Sequence, residues 1–407
     1  MLIVQKYGGS SVADSERIMN VARRIIKAKQ AGNRLVVVVS AQGDTTDELL
    51  EKALQLNPDA PKREMDMLVS TGEQQSAALM AMAIHALGYS AVSLNAAQVG
   101  IVSTSTYANA RIKRIDAERI MTELERNNIV IVTGFQGVNR YGDVTTLGRG
   151  GSNVSAVALA AALHADICEN YTDVEGVYTA DPRVVKNARK IKEISYDEML
   201  EMASLGAKVL QKRSVEMAKK YNVKLVVRSS MSDAEGTIVK EEGKMESMFV
   251  SGVAVDKDIS RISIMGVKDT PGVAFNIFSI LAKSKISVDI ILQSISRDMT
   301  KDISFTVAKT DLKDALRVLE ENAPRLKYEA ITHDSNIAKL SVVGAGMATN
   351  PGVAALMFEA LCDAGVNIDM ISTSEIKISV LVDEKDADRG ANAVHDKFMV
   401  ENAQRNK

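Results

Sequence analysis

The chain reads as an α/β protein, with a mainly parallel sheet between layers of helices followed by two small βαββαβ modules. Three observations carry this. Short β-branched runs alternate with longer helical stretches through the first half. One run, LVVVVS at Leu35–Ser40, has no polar alternation, as a central strand covered on both faces requires. The second half also repeats itself. Arg261–Gln293 and Lys339–Thr373 both read as strand, Pro-Gly turn, amphipathic helix, then a strand carrying Val-Asp or Ile-Asp.

In chain order, Leu2–Gln5 predicts the first strand, ending at Gly8-Gly9, and Ser15–Ala31 a helix stopped by Gly32. After the central strand, Glu64–Leu87 predicts one long helix ending at Gly88. Ala91–Leu94 and Ile129–Thr133 predict strands, and alanine-rich Ser152–Leu163 a helix. Ile167–Thr172 leads into a loop with Gly176 and Pro182, and Val223–Arg228 closes the sheet. Polar Glu241–Lys244 marks the boundary, giving a first domain over 1–240 and a linker over 241–248. The first module, 259–335, is completed by strand Asp302–Ala308, helix Asp311–Asn322 and strand Tyr328–His333. The second continues with strand Ile376–Val382 and helix Asp386–Phe398 but lacks a last strand. An open sheet edge is a liability, and Phe249–Val255 is a strand without a partner. It is expected to fill the vacancy, so that the second module comprises 249–256 and 336–400.

At 407 residues the chain is long enough for two or three domains. It is 46% hydrophobic and 25% charged with a formal net charge of −2, which argues against nucleic-acid or anionic-membrane partners. No apolar run approaches the roughly 18 residues of a membrane span. The start, MLIVQKYGGSS, lacks the parts of a signal peptide. Cys168 and Cys362 form no disulfide framework. A cytoplasmic protein is expected. His164 and Cys168 share helical spacing, but one such pair reads as core, and no metal-binding cluster is expected.

Two glycine loops carry the chemistry. Lys6-Tyr7-Gly8-Gly9-Ser10-Ser11 follows the first strand; adjacent glycines free backbone N–H groups for an anion and the lysine adds a point charge. Thr146–Ser152 (TLGRGGS) runs into a helix N-terminus and carries Arg149, able to grip a carboxylate bidentately. Taken singly, each is as readily a tight turn or a flexible loop. Ser40–Asp47 follows the central strand, where open α/β sheets bind ligands, or simply caps the next helix. Glu73 puts a carboxylate into an apolar helical stretch. Tyr171–Arg183 (YTDVEGVYTADPR) is too long and too rich in hydrogen-bonding side chains for a plain connector. Lys208, alone, would be ignored.

Together KYGGSS, VVVSAQGDTTDEL, STGEQ, TTLGRGGS, YTDVEGVYTADPR and SEIKISVLV resemble, in order and spacing, the monofunctional aspartate kinases across essentially the whole chain. The resemblance implies an amino-acid-kinase fold followed by paired ACT domains. It implies ATP with Mg²⁺, the metal held mainly by the nucleotide's phosphates, and L-aspartate as acceptor. Lys6, Tyr7, Gly8 and Gly9 match the phosphate cradle, with Thr172, Asp173, Tyr178, Arg183 and Lys208 as further ATP positions. Ser40, Thr45, Glu73, Arg149 and Ser152 match substrate contacts, Glu73 for the α-ammonium and Arg149 for the α-carboxylate. Lysine, threonine or both are the implied effectors. Asp269, Ala274, Val288, Asp289 and Gln293 match the effector pocket of the first module, with Asn367, Ile368 and Glu375 as the counterpart in the second. A homo-oligomer through the ACT domains is implied, with a shorter regulatory subunit from Met245 or Met248 as a further option.

Two positions depart from the family pattern. Asn153 stands where an aspartate is usual among the catalytic residues; an ion pair with Lys6 would become a neutral hydrogen bond. Gln211-Lys212 replaces His-Pro. The alternative reading is therefore a kinase-fold regulatory amino-acid-binding protein, weakened in catalysis by Asn153.

Overall fold

The computed structural model describes residues 1–204, 209–241, 250–295, 299–347 and 352–405. They form two compact units, Met1–Tyr178 with Arg189–Met245, and Thr179–Ala188 with Glu246–Lys407.

The first unit is built on an eight-stranded sheet. Its order is Glu193–Ser195, Thr237–Lys240, Leu225–Ser229, Ile167–Thr172, Leu2–Tyr7, Arg34–Val39, Ile129–Thr133 and Ala91–Leu94. All neighbours are parallel except Leu225–Ser229 with Thr237–Lys240. Because side chains alternate, one face presents Ile3, Leu35, Val37, Val39 and Ile131 to a core shared with helices Ser15–Gln30 and Thr71–Ala86. The other face lies under helix Gly151–Ala162, which packs on strands Leu2–Tyr7, Arg34–Val39 and Ile167–Thr172. The strand around Val223–Arg228 does not close the sheet; it is interior, and two short strands lie beyond it. The expected helix over Glu64–Leu87 is two helices, Lys62–Val69 and Thr71–Ala86. They part at Ser70, whose carbonyl accepts a hydrogen bond from Gln136 Nε2 at 2.5 Å. A second sheet of four very short strands, Ile112–Ile115, Ile101–Ser103, Gln136–Val138 and Val144–Thr146, has no signal in the hydrophobic pattern.

The second unit holds two four-stranded sheets. In one, Gly252–Asp256 runs antiparallel to Ile337–Val343, with Val253 opposite Val342. In the other, Ile259–Lys268 lies between Thr300–Ala308 and Ala330–Asp334, with Ile291–Gln293 at the edge. The repeat appears as paired contacts. Lys339, in the second copy, bonds Asp289 of the first, while the aligned Arg261 of the first lies 3.4 Å from the aligned Asp369 of the second. Ile259, Ile290, Ile337, Met370 and Leu381 form the small apolar core beside these pairs.

Ten residues of the long loop, Thr179–Ala188, belong to this unit because they complete its core. Ala180 and Val185 are buried with Val250, Val253, Val394 and Phe398. Thr179 O accepts the Val253 N–H at 2.7 Å, and Thr179 Oγ1 lies 2.8 Å from Nε2 of the fully buried His395. Asn392 Nδ2 donates to Val184 O at 2.9 Å. Among the described residues no helix is long and apolar enough to cross a membrane.

Candidate active site

Lys6 sits near the end of the first strand, buried, on the face beneath helix Gly151–Ala162. Its ammonium lies 3.3 Å from where a Cβ on Gly8 would stand, so a side chain there would press on the charge. A Cβ on Gly9 would be 2.8 Å from Ala41 O; only glycine lets this loop meet the turn after the central strand, where Gly43 N donates to Gly9 O at 3.1 Å. Burial pulls the Lys6 pKa down to about 8, opposed first by Asp173. Tyr7 contributes only main chain to this loop. Its ring faces the opposite core and stacks on Tyr171 at 4.7 Å.

Glu73 meets the same turn from helix Thr71–Ala86. Its Oε1 accepts the Ala41 N–H at 3.2 Å, while Oε2 is buried without a hydrogen-bond partner. The helix comes this close because a Cβ on Gly72 would fall 2.7 Å from that of Ala41. Burial raises the Glu73 pKa to about 7, against the lowering effect of backbone donors. Such a carboxylate is completed by a cation arriving from outside, and an α-ammonium fits. The charge is present only above this pKa, so the aspartate KM should rise as pH falls from 8 to 6. A Glu73→Gln enzyme should lose that rise; a profile identical to wild type would exclude the role. Ser40 and Thr45 flank the same turn, both half-buried, Thr45 opening helix Thr45–Leu56.

The second glycine loop bends through positive φ at Gly148 and Gly150. Gln211 lies directly over it; a Cβ on Gly150 would stand 1.8 Å from the Gln211 Cγ. Arg149 is exposed, and Ser152 is buried against Gly134. The hydrogen bond expected between Asn153 and Lys6 is not made, for Asn153 Oδ1 is buried with no partner. Two residues that sequence reasoning missed hold this loop. Asp66, 1% exposed, accepts from Ala108 N, from Thr146 N at 2.9 Å and from Thr146 Oγ1 at 2.7 Å. Arg213 donates to Leu147 O at 2.8 Å and Ala110 O at 2.7 Å. Asp66 carried the same signal as Glu73, an acid inside an apolar helical stretch.

Of the expected ATP positions, Thr172 and exposed Asp173 are joined by a 3.0 Å hydrogen bond, and Tyr178 forms a β-bridge with Lys190. Arg183 lies in the second unit, paired with Asp181 at 2.7 Å. Lys208 lies outside the described residues. Of the effector positions, Asp269 and Ala274 line a cavity of about 320 Å³ with Lys301, whose ammonium is 2.7 Å from Asp269. Asp289 already carries the Lys339 ammonium. Val288 packs on the first module's core and Ile368 on the second's, whereas Gln293, Asn367 and Glu375 are exposed.

Residues 1–229 match the amino acid kinase family, and 262–322 and 340–398 match an ACT domain. The aspartokinase of Bacillus sp. (strain MGA3) is 50% identical, covering 98% of this chain and 97% of its own. That of Corynebacterium glutamicum is also 50% identical, over 98% and 96%. Among solved structures, Escherichia coli aspartokinase III with aspartate and ADP superposes with a TM-score of 0.82 at 26% identity, covering 98% of this chain and all of that one. Aspartate kinase from Synechocystis is 47% identical, with a TM-score of 0.56 over 98% of this chain and 70% of that one. With a kinase sheet ending in two glycine loops, a repeated ACT half and relatives at this identity over nearly its full length, the chain belongs to the aspartokinase family.

Proposed function

We propose that the protein transfers the γ-phosphoryl group of ATP to the side-chain carboxylate of L-aspartate, giving 4-phospho-L-aspartate. In this reading the product feeds lysine, threonine and methionine synthesis, and amino-acid effectors act through the ACT half. The observation that carries it is the buried Glu73 carboxylate, with Oε2 unmet and Oε1 joined through the Ala41 turn to the glycine loop beside Lys6. One end recognises an α-ammonium and the other an anionic phosphate. The acceptor carboxylate is already a nucleophile, so the protein's task is positioning and charge neutralisation. Mg²⁺ carried in with ATP would supply further charge neutralisation. Arg149, from its exposed place on the second loop, holds the α-carboxylate. Thr172, Asp173 and Tyr178, with Arg183 and Lys208 added by family likeness, bind nucleotide.

The E. coli enzyme has been solved with lysine as well as with aspartate and ADP, which supports lysine as one effector here. Exposed Ile291 and Leu292 on an edge strand, with exposed Ile295 two residues beyond it, support assembly of copies through the first module. The weakened-kinase reading gains nothing beyond Asn153 itself, since Lys6, Glu73 and both glycine loops are in place. With Mg-ATP and L-aspartate, hydroxylamine should trap a hydroxamate. Glutamate should react at least roughly a hundredfold more slowly, its extra methylene displacing the carboxylate from the in-line position. Equal rates for the two acids would overturn the assignment.

A further inference from the structure

Asn170 lies beside Lys6, one strand over. The strands are parallel and in register at this pair, so both side chains leave the same face of the sheet. Their neighbours in register, Val38 and Val227, are apolar and fully buried. Asn170 is 5% exposed, yet neither its Oδ1 nor its Nδ2 has a hydrogen-bond partner. An amide with both ends unmet destabilises a fold, and a hydrocarbon would serve the core better. Asn153 Oδ1, on the helix that covers this face, is unmet in the same way. Three polar atoms on two amides thus border the side of the sheet that carries one buried ammonium.

We propose that Asn170 is a further positioning residue for phosphoryl transfer: its amide and that of Asn153, both unmet in this structure, take up the Lys6 ammonium through neutral oxygens once the phosphates of the substrate draw that ammonium into place. The proposal rests on the reading of Lys6 given above. An amide suits the place because it addresses both partners. Its Oδ1 accepts a hydrogen from the ammonium, and its Nδ2 donates to an anionic phosphoryl oxygen. Neutral oxygens hold the lysine less firmly than a carboxylate would. The cost falls on the proton affinity of Lys6. The groups acting on it are Asp173, which raises its pKa, and Cys168, whose thiol burial pushes up to about 12 and so keeps neutral. Desolvation outweighs them and leaves the lysine at about 8.

The test is the pH dependence of kcat and of kcat/KM for ATP. In the wild type kcat/KM should fall above about pH 8, as Lys6 loses its proton. Asn170→Leu should lower kcat roughly ten- to a hundredfold and move that alkaline fall to lower pH, with aspartate KM within about twofold. Asn153→Asp should move the fall upward. If the leucine variant does not fold, Asn170→Ala removes the amide without adding bulk. Wild-type kcat in the Asn170 variant, or a lower kcat with the alkaline fall unmoved, would overturn the proposal. Lys6→Ala in the same assay separates the two levels. If it keeps full activity, the site reading and this proposal fall together. If it is inactive while Asn170→Leu is unaffected, this proposal falls alone.

Discussion

Replacing Lys6 by alanine should lower kcat by about a thousandfold or more, with much smaller changes in the KM for ATP and for aspartate. Phosphoryl transfer gains most of its acceleration from charges placed where negative charge moves, and one such element in a water-poor site is worth on the order of a hundred- to a thousandfold. Lys6 is buried, and its ammonium lies 3.3 Å from where a Cβ on Gly8 would stand. Lys6→Arg should not restore the rate, because a planar, forked guanidinium does not reproduce the compact point charge of an ammonium in a buried place. Steady-state hydroxamate formation at saturating substrates measures this. A kcat within tenfold of wild type in Lys6→Ala would mean the charge is supplied elsewhere.

The second large effect is expected at Asp66, which no motif announces. At the foot of the second glycine loop its carboxylate accepts from the N–H of the exposed Ala108 and, buried with it, from the N–H and hydroxyl of Thr146. Asp66→Ala strands these donors and should cost about 3–5 kcal/mol, since each buried donor left unmet costs roughly 1–3. For a unit of this size that is a fall in Tm of about 10 °C. Because Thr146 leads directly into the loop carrying Arg149, aspartate KM should rise more than ATP KM. Asp66→Asn keeps one acceptor and should fall between. A Tm within 2 °C of wild type for Asp66→Ala would show that water replaces the carboxylate freely.

Residues whose local pattern and long-range task agree were legible in the sequence. The strand and its glycine turn are such a case: the first strand, Leu2–Tyr7, ends directly before Gly8-Gly9, with Lys6 inside it and buried. The repeat in the second half announced two modules, and two four-stranded sheets are present. What could not be read depends on contacts across the chain. Ser70 interrupts a helical pattern because Gln136, 66 residues on, takes its carbonyl. Strands of three or four residues, such as Gln136–Val138, are too short for alternation to show. Asn170 looked like an ordinary polar residue in a strand until the register set it beside Lys6. Asp289, matched to the effector pocket, holds an ammonium of the chain's own, that of Lys339.

The ten residues Thr179–Ala188 bear on how such a protein can be taken apart or recombined. The chain passes to the second unit after Tyr178, returns at Arg189 and passes again at the linker, so no single cut separates the units. A fragment ending near 240 would carry Ala180 and Val185 as bare apolar side chains, prone to self-association. A fragment beginning near 250 would lack the backbone that caps Val253 and the hydroxyl that faces His395. A chimera joining this kinase sheet to another relative's sensor half must therefore be spliced at three seams, with the 179–188 stitch taken from the sensor's parent.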